Sequence, residues 1–244
     1  MTSQWTAWVT HFSRNAERPM PRVDAPTLTA AQQRQLAHSL AVFQVGEAGE
    51  GRIARDIDRA TLPGVDAAYR LSLKAFVKEE GRHARILKSA VEALGGSILK
   101  SQWTEGAFVS LRRLFGIRFK LLVLTVAEVM GIAFYGLAAQ ALPQGDLKQA
   151  LLQLCDDEAA HLQFHAQFFR AQQANPLTAW LLRRLWKPVS TAAAWLLVRE
   201  HASTLILLGI SRDEFAARLQ QLKAEVAELM SVAPVEQLQL SSAP

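Results

Sequence analysis

Two short units in this chain place a carboxylate and an imidazole at helical spacing: Glu80-Gly-Arg-His83 and Glu158-Ala-Ala-His161. Residues three apart on a helix share a face, so each unit can offer an oxygen and a nitrogen to one divalent cation. A single unit of this kind in a chain with six histidines carries little weight. The wider spacing carries more. Glu50 stands 30 residues before Glu80, and Glu128 stands 30 residues before Glu158. The chain therefore holds one module twice, a glutamate followed by Glu-x-x-His, and each module fits a helical hairpin. Two hairpins would bring four carboxylates and two imidazoles to a common centre.

The neighbours predict burial. Leu73, Phe76, Ala84 and Leu87 lie one or two turns from Glu80. Leu121, Leu124 and Ile132 flank Glu128, and Leu151, Leu154 and Leu162 flank Glu158. Four unpaired carboxylates on apolar faces would be prohibitively costly, and two divalent cations would supply the missing positive charge. Carboxylate oxygen with imidazole nitrogen suits iron or manganese better than zinc. Glu47, one turn before Glu50, competes with it. The 30-residue spacing and the more apolar face favour Glu50 and leave Glu47 as an outer partner or extra ligand. Glu79 and Asp157 precede the two motif glutamates and point about 100° away, as outer partners or surface groups.

Other polar groups share these faces. Tyr135, two turns after Glu128, is either a core aromatic or a hydrogen-bonding residue beside the site. His165, one turn after His161, is either a donor to a ligand carboxylate or a satisfied bundle histidine. Thr125 and Cys155 each precede a candidate ligand by three residues and read as filler. Glu200-His201 interrupts an apolar helix and reads as a buried or partner-facing ion pair, with closure over the site as the alternative.

Helices must position all of this, and the sequence predicts little else. Thr29 with Gln32 forms a capping box that opens a first long helix, which ends near Thr61-Leu-Pro-Gly. A second helix spans about 66–93 and stops at Gly95-Gly96. Trp103 to Phe115 reads as a short helix or long crossover. A third helix spans about 117–142 before Pro143, and Asp146 is the expected cap of a fourth, which runs to about Gln173. Pro188 to Leu208 is a further apolar helix, and Ser211 with Glu214 opens a last amphipathic one. The expected division is an irregular N-terminal arm over 1–28, a metal-binding bundle over 29–175, a C-terminal helical extension over 176–232 and a flexible tail over 233–244.

On Gly-Glu-x-Gly-Glu50, Glu80-x-x-His83, Glu128 and Glu158-x-x-His161, residues 30–173 resemble the ferritin-like superfamily of rubrerythrins, bacterioferritins and soluble di-iron oxygenases. The resemblance implies an all-α, ferritin-like four-helix bundle with a long crossover and additional C-terminal helices. It implies that Glu50 and Glu128 are single ligands, that Glu80 and Glu158 bridge two iron ions (manganese being the alternative), and that His83 and His161 cap one each.

Bulk properties narrow the setting. The one cysteine, Cys155, excludes an intramolecular disulfide and suits a reducing cytoplasm. The first residues lack the layout of a signal peptide. Leu121 to Leu142 is long enough to span a bilayer, but its one charge, Glu128, fits a buried bundle helix better. The net charge of +5 is scattered, which reads as a solvated surface rather than a binding stripe. The expected activity is a di-iron oxidase or oxygenase, of hydroxylase or desaturase type, using O2 on a small organic substrate. The basic surface argues against an iron-storage cage, and the lack of a Cys-x-x-Cys pair calls for an external ferredoxin or reductase as electron donor. A rubrerythrin- or catalase-like peroxide enzyme or ferroxidase is the second reading. A hydroxylase associated with tRNA or a membrane surface is the third. A homodimer is compatible with all three.

Overall fold

A computed structural model describes residues 3–48, 53–99 and 116–231. Every regular element among them is helical. They are α1 (Thr6–Glu17), α2 (Ala30–Ala48), α3 (Ile53–Asp58), α4 (Ala67–Ala93), α5 (Ile117–Ala141), α6 (Asp146–Gln172), α7 (Pro176–Leu207) and α8 (Arg212–Ser231). Glu50 and the crossover expected over Trp103 to Phe115 lie outside the described residues.

Local chemistry sets most boundaries. Thr29 Oγ1 accepts from the Gln32 amide at 3.2 Å, and Gln32 Oε1 accepts from the Thr29 amide at 3.0 Å, closing the capping box before α2. Asp66 caps α4 by accepting from the Tyr69 amide at 2.8 Å. Gly95, at φ 75°, turns the chain out of α4, and the Gly96 amide donates back to the Val91 carbonyl at 2.9 Å. Asn175 caps α7 through the Thr178 amide, with Pro176 in the first turn. Asp146 departs from its expected role. Gly145 occupies the cap and Asp146 is the first helical residue, where its charge faces the helix dipole. α7 begins twelve residues before the expected Pro188, which instead stands inside the helix.

The N-terminal arm is a second departure. Residues 6–17 form a helix, not an irregular segment. Trp5, Trp8, Phe12 and Asn15 recur at intervals of three and four and are buried against α4 and α6. Trp5 Nε1 donates to the Gly64 carbonyl and Trp8 Nε1 to Gln167 Oε1, each at 2.7 Å. Burying the indoles with their N–H groups satisfied anchors α1 beside the centre.

The core is built from two helix pairs, α2 with α4 and α5 with α6. Contacts fix their directions. Ala37 meets Gly96 while Glu47 meets Glu80, so α2 and α4 are antiparallel. Ile132 meets Cys155 and Glu128 meets His165, so α5 and α6 are antiparallel. Glu79 meets His161 and His83 meets Asp157, so α4 and α6 are antiparallel as well. The four helices therefore run up, down, down, up, the order expected of a bundle whose middle connection crosses over. α7 packs on α2 and α5, and α8 on α5 and α6.

α5 is the one described helix apolar and long enough to cross a membrane, and 89% of its most hydropathic window is buried by the other helices. It is a core helix, hydrophobic on all sides because it is surrounded.

Candidate metal centre

α4 and α6 supply the middle of the site. One donor atom from each of Glu80, His83, Glu158 and His161 lies within 4.8 Å of the others, and all four residues are buried. Glu158 divides its two oxygens between the two imidazoles: Oε1 lies 3.1 Å from His83 Nδ1, and Oε2 lies 3.1 Å from His161 Nδ1. Glu80 Oε1 lies 2.9 Å from His161 Nδ1 and 4.0 Å from His83 Nδ1. Yet Glu80 Oε1 has no hydrogen-bond partner of acceptable angle. It is a buried oxygen that faces the charged His161 ring and the middle of the cluster at a poor hydrogen-bonding angle.

The far nitrogens of both rings are held from the opposite helix. His83 Nε2, on α4, lies 3.3 Å from Asp157 Oδ2 on α6. His161 Nε2, on α6, lies 3.3 Å from Glu79 Oε2 on α4. Glu79 and Asp157 are buried, so they are not surface groups. They fix which way each imidazole faces, leaving both Nδ1 atoms toward the middle.

α1 completes this outer layer. Arg18, just past its end, places one guanidinium nitrogen 3.2 Å from Glu79 Oε1 and 2.5 Å from Asp157 Oδ1. Asn15 Nδ2 donates to Glu79 Oε1 at 2.7 Å. Arg82 Nη1 stands 3.9 Å from Asp157 Oδ2 and donates through Nη2 to the Pro19 carbonyl. Phe12 and Phe76 close over His161, with ring centroids 5.7 and 4.6 Å away.

The other two core helices add further groups. Glu47 on α2 turns its carboxyl toward Glu80 and accepts from the Tyr135 hydroxyl of α5 at 3.2 Å. Burial, followed by the adjacent Glu80 charge, raises the Glu47 pKa well above the usual carboxylate range. Glu128 on α5 accepts from His165 Nε2 at 3.0 Å. Burial, helped by the charge on His161, holds His165 down at about 3. It is therefore neutral, and its Nε2–H is the donor to Glu128.

Charge within the cluster is balanced by protons. Burial alone would strip His83 of its charge, but hydrogen bonds to Asp157 and Glu158 outweigh it and hold its pKa at about 9. Burial likewise opposes the charged form of His161, and Glu158, Glu79 and Glu80 raise its pKa well above normal. Burial would raise Glu158, yet His161 and His83 bring it down to about 2. Two imidazolium ions thus stand among several carboxylates. A cation bound at the same Nδ1 atoms would need neutral rings, so it takes the place of these protons.

Of the six ligands that the repeated motif predicts, the structure gathers Glu80, His83, Glu158 and His161 into one cluster. Glu128 is bonded to His165 beside it, Glu50 lies outside the described residues, and Glu47, bonded to Tyr135, stands next to Glu80. Arg18 and Asn15 are contributions that the motif spacing does not reveal. Thr125 bonds back to the Leu121 carbonyl at 2.8 Å and Cys155 Sγ to the Ile132 carbonyl at 3.8 Å, as filler does. Glu200 lies 3.6 Å from His38, and His201 is buried against Ser39 at 2.8 Å, both away from the cluster. The chain matches no protein-family model and no curated protein. The arrangement of the site itself carries the functional reading: a buried carboxylate and histidine cluster able to hold a metal ion.

Proposed function

We propose that the chain is a ferritin-like dimetal-carboxylate oxidoreductase, with a pair of iron ions, or manganese in their place, between Glu80, His83, Glu158 and His161. One observation carries this reading: the two oxygens of Glu158 each face a different imidazole, as a carboxylate spanning two cations requires. Glu80 supports it as well, because its Oε1 faces both imidazoles, 2.9 Å from His161 Nδ1 and 4.0 Å from His83 Nδ1, at angles that form no good hydrogen bond. The donor set of two nitrogens with several carboxylate oxygens fits iron or manganese. Glu128 supplies a further carboxylate from α5, and Glu47 or Glu50 one from the chain at and after the end of α2.

When bound, such a metal pair supplies redox chemistry with O2 or peroxide. The chain's own residues prepare the site for it. Asp157 and Glu79 hold the rings of His83 and His161 so that Nδ1 faces inward. Tyr135 steadies Glu47, and His165 steadies Glu128. Phe12 and Phe76 exclude water from the His161 side. An oxidase or oxygenase acting on a small organic substrate with an external electron donor is the favoured activity. The surface charge of +5 runs against the acidic entry paths of an iron store, and the helices beyond Gln172 add cover for a substrate.

Metal analysis of the purified full-length protein tests the centre. Two transition-metal ions per chain are expected, and Glu80→Ala should lose both. Well under one ion per chain in the wild-type protein after iron-replete growth would overturn the proposal. The activity is tested by supplying the ferrous protein with O2 and a reductase. A hydroxylated or desaturated product supports the oxygenase, whereas saturable ferrous oxidation without any organic product assigns the centre to a ferroxidase.

A further inference from the structure

The outer face of α7 is exposed, apolar and basic at once. Leu177, Trp180, Leu181, Trp195, Ile206 and Leu207 all stand in solvent, with Leu177 70%, Trp195 60% and Ile206 67% exposed. At 100° per residue the first five of these fall within about 100° of one another, so they share one face over about 44 Å from Leu177 to Ile206, with Arg184 and Arg199 between them and Leu207 at its flank. The opposite face, with Leu182, Trp186, Leu197 and Leu205, is buried against the bundle. The stripe is therefore not the face that holds α7 to the protein. An apolar strip of this length with two open indoles marks a contact surface.

Charge selects what it contacts. Arg183, Arg184, Lys187 and Arg199 are all exposed along the same helix. The one acid in α7, Glu200, sits 3.6 Å from His38 of α2 and so belongs to the inner side. Each open indole lies under a guanidinium: Arg184 stands 5.7 Å from the Trp180 ring and Arg199 5.4 Å from the Trp195 ring. A two-fold dimer would set this stripe against itself and bring Arg184 and Arg199 onto their own copies, with Lys187 at the flank and no acid of α7 on that face. Nucleic acid would answer the cations but would leave Leu177, Leu181 and Ile206 without an apolar partner. The surface of an anionic bilayer answers both. Its phosphates take the arginines and lysine, its acyl boundary takes the aliphatic side chains, and tryptophan favours the boundary between them.

We infer that the exposed stripe of α7 docks the protein in the plane of an anionic lipid bilayer, with Trp180 and Trp195 buried among the headgroups. This inference does not depend on the metal centre. Flotation of the full chain with phosphatidylcholine vesicles, with and without phosphatidylglycerol, tests it. Binding is expected to the anionic vesicles at low salt and to fall steeply at high salt. Lipids brominated on the acyl chains should quench the tryptophan emission, and Trp180→Gln with Trp195→Gln should remove that quenching and weaken binding about tenfold. Arg183→Gln with Arg184→Gln and Lys187→Gln should weaken it about 100-fold. All five positions are exposed, and circular dichroism confirms that the variants keep their helices. No binding to anionic vesicles at low salt would overturn the inference. So would binding that the tryptophan variant leaves unchanged, or a dimer in sedimentation that the same variant dissolves.

Discussion

Removing Arg18 should loosen the centre from outside. Its guanidinium joins Glu79 and Asp157, carboxylates whose side chains are 0% and 4% exposed, through a single nitrogen. Deleting one partner of a buried pair costs about 3–5 kcal/mol when the other charge is stranded. Here neither is stranded. Glu79 keeps Asn15 at 2.7 Å and His161 at 3.3 Å, and Asp157 keeps His83 at 3.3 Å and Arg82 at 3.9 Å. What is lost is two charge-assisted hydrogen bonds at about 1.5 kcal/mol each, the low end of their range because Arg18 itself is one-third open to solvent. Arg18→Gln should therefore destabilise the metal-free protein by about 2–3 kcal/mol. Urea unfolding reads this as a lower midpoint at unchanged slope. Arg18→Lys keeps one cationic nitrogen able to donate twice and should recover more than half of the loss. A change below about 0.5 kcal/mol for Arg18→Gln, typical of solvated surface pairs, would refute the reasoning.

Three further expectations follow from other parts of the fold. Asp157→Asn removes the carboxylate that orients His83, and chelator competition should show metal affinity falling about 10–100-fold. His201, which burial and then the charge on His38 hold down at about 3, titrates near 6.5 once unfolded. The unfolded chain thus binds more protons between those values, so this contribution to stability is complete above about pH 6.5 and is lost as the pH falls toward 3. His201→Gln should flatten the loss of urea midpoint between about pH 7 and about pH 5 relative to wild type; an unchanged slope would show that His201 is not its source. At Gly96 an added Cβ would lie 2.7 Å from Ala37 Cβ and 3.2 Å from the Val91 carbonyl oxygen. Gly96→Ala should then cost about 1–3 kcal/mol in thermal or urea melts by forcing α2 from the end of α4.

The helical class and the middle of the site were legible because they rest on short-range spacing. Glu80 with His83, and Glu158 with His161, are each fixed by three residues of helix, and the capping residues Thr29, Asn175 and Ser211 act within one turn. What escaped lies in contacts between distant segments. Arg18 reaches Asp157 across 139 residues, and nothing local marks it as part of a site. The helix that ends at it was readable in the spacing of Trp5, Trp8, Phe12 and Asn15, but Pro21 and Pro26 made the whole segment look irregular. Glu79 and Asp157 point away from the motif glutamates on their own helices. Only the antiparallel pairing of α4 with α6 turns each toward the other helix's histidine. Glu47 reaches Glu80, a contact that the 30-residue repeat does not reveal because it records chain distance rather than rotation about the α2 axis; Glu50, which the repeat favours, lies outside the described residues.

That crossed pairing has a mechanical consequence. Each helix orients the other's imidazole, so neither half of the duplicated motif can set its own geometry. A slide of α4 along α6 would drag both rings by the same distance in opposite directions, and the separation of their Nδ1 atoms would change while their surroundings stayed alike. The centre thus behaves as a calliper with two linked jaws, and α1, gripping both through Arg18, is the screw that sets its opening.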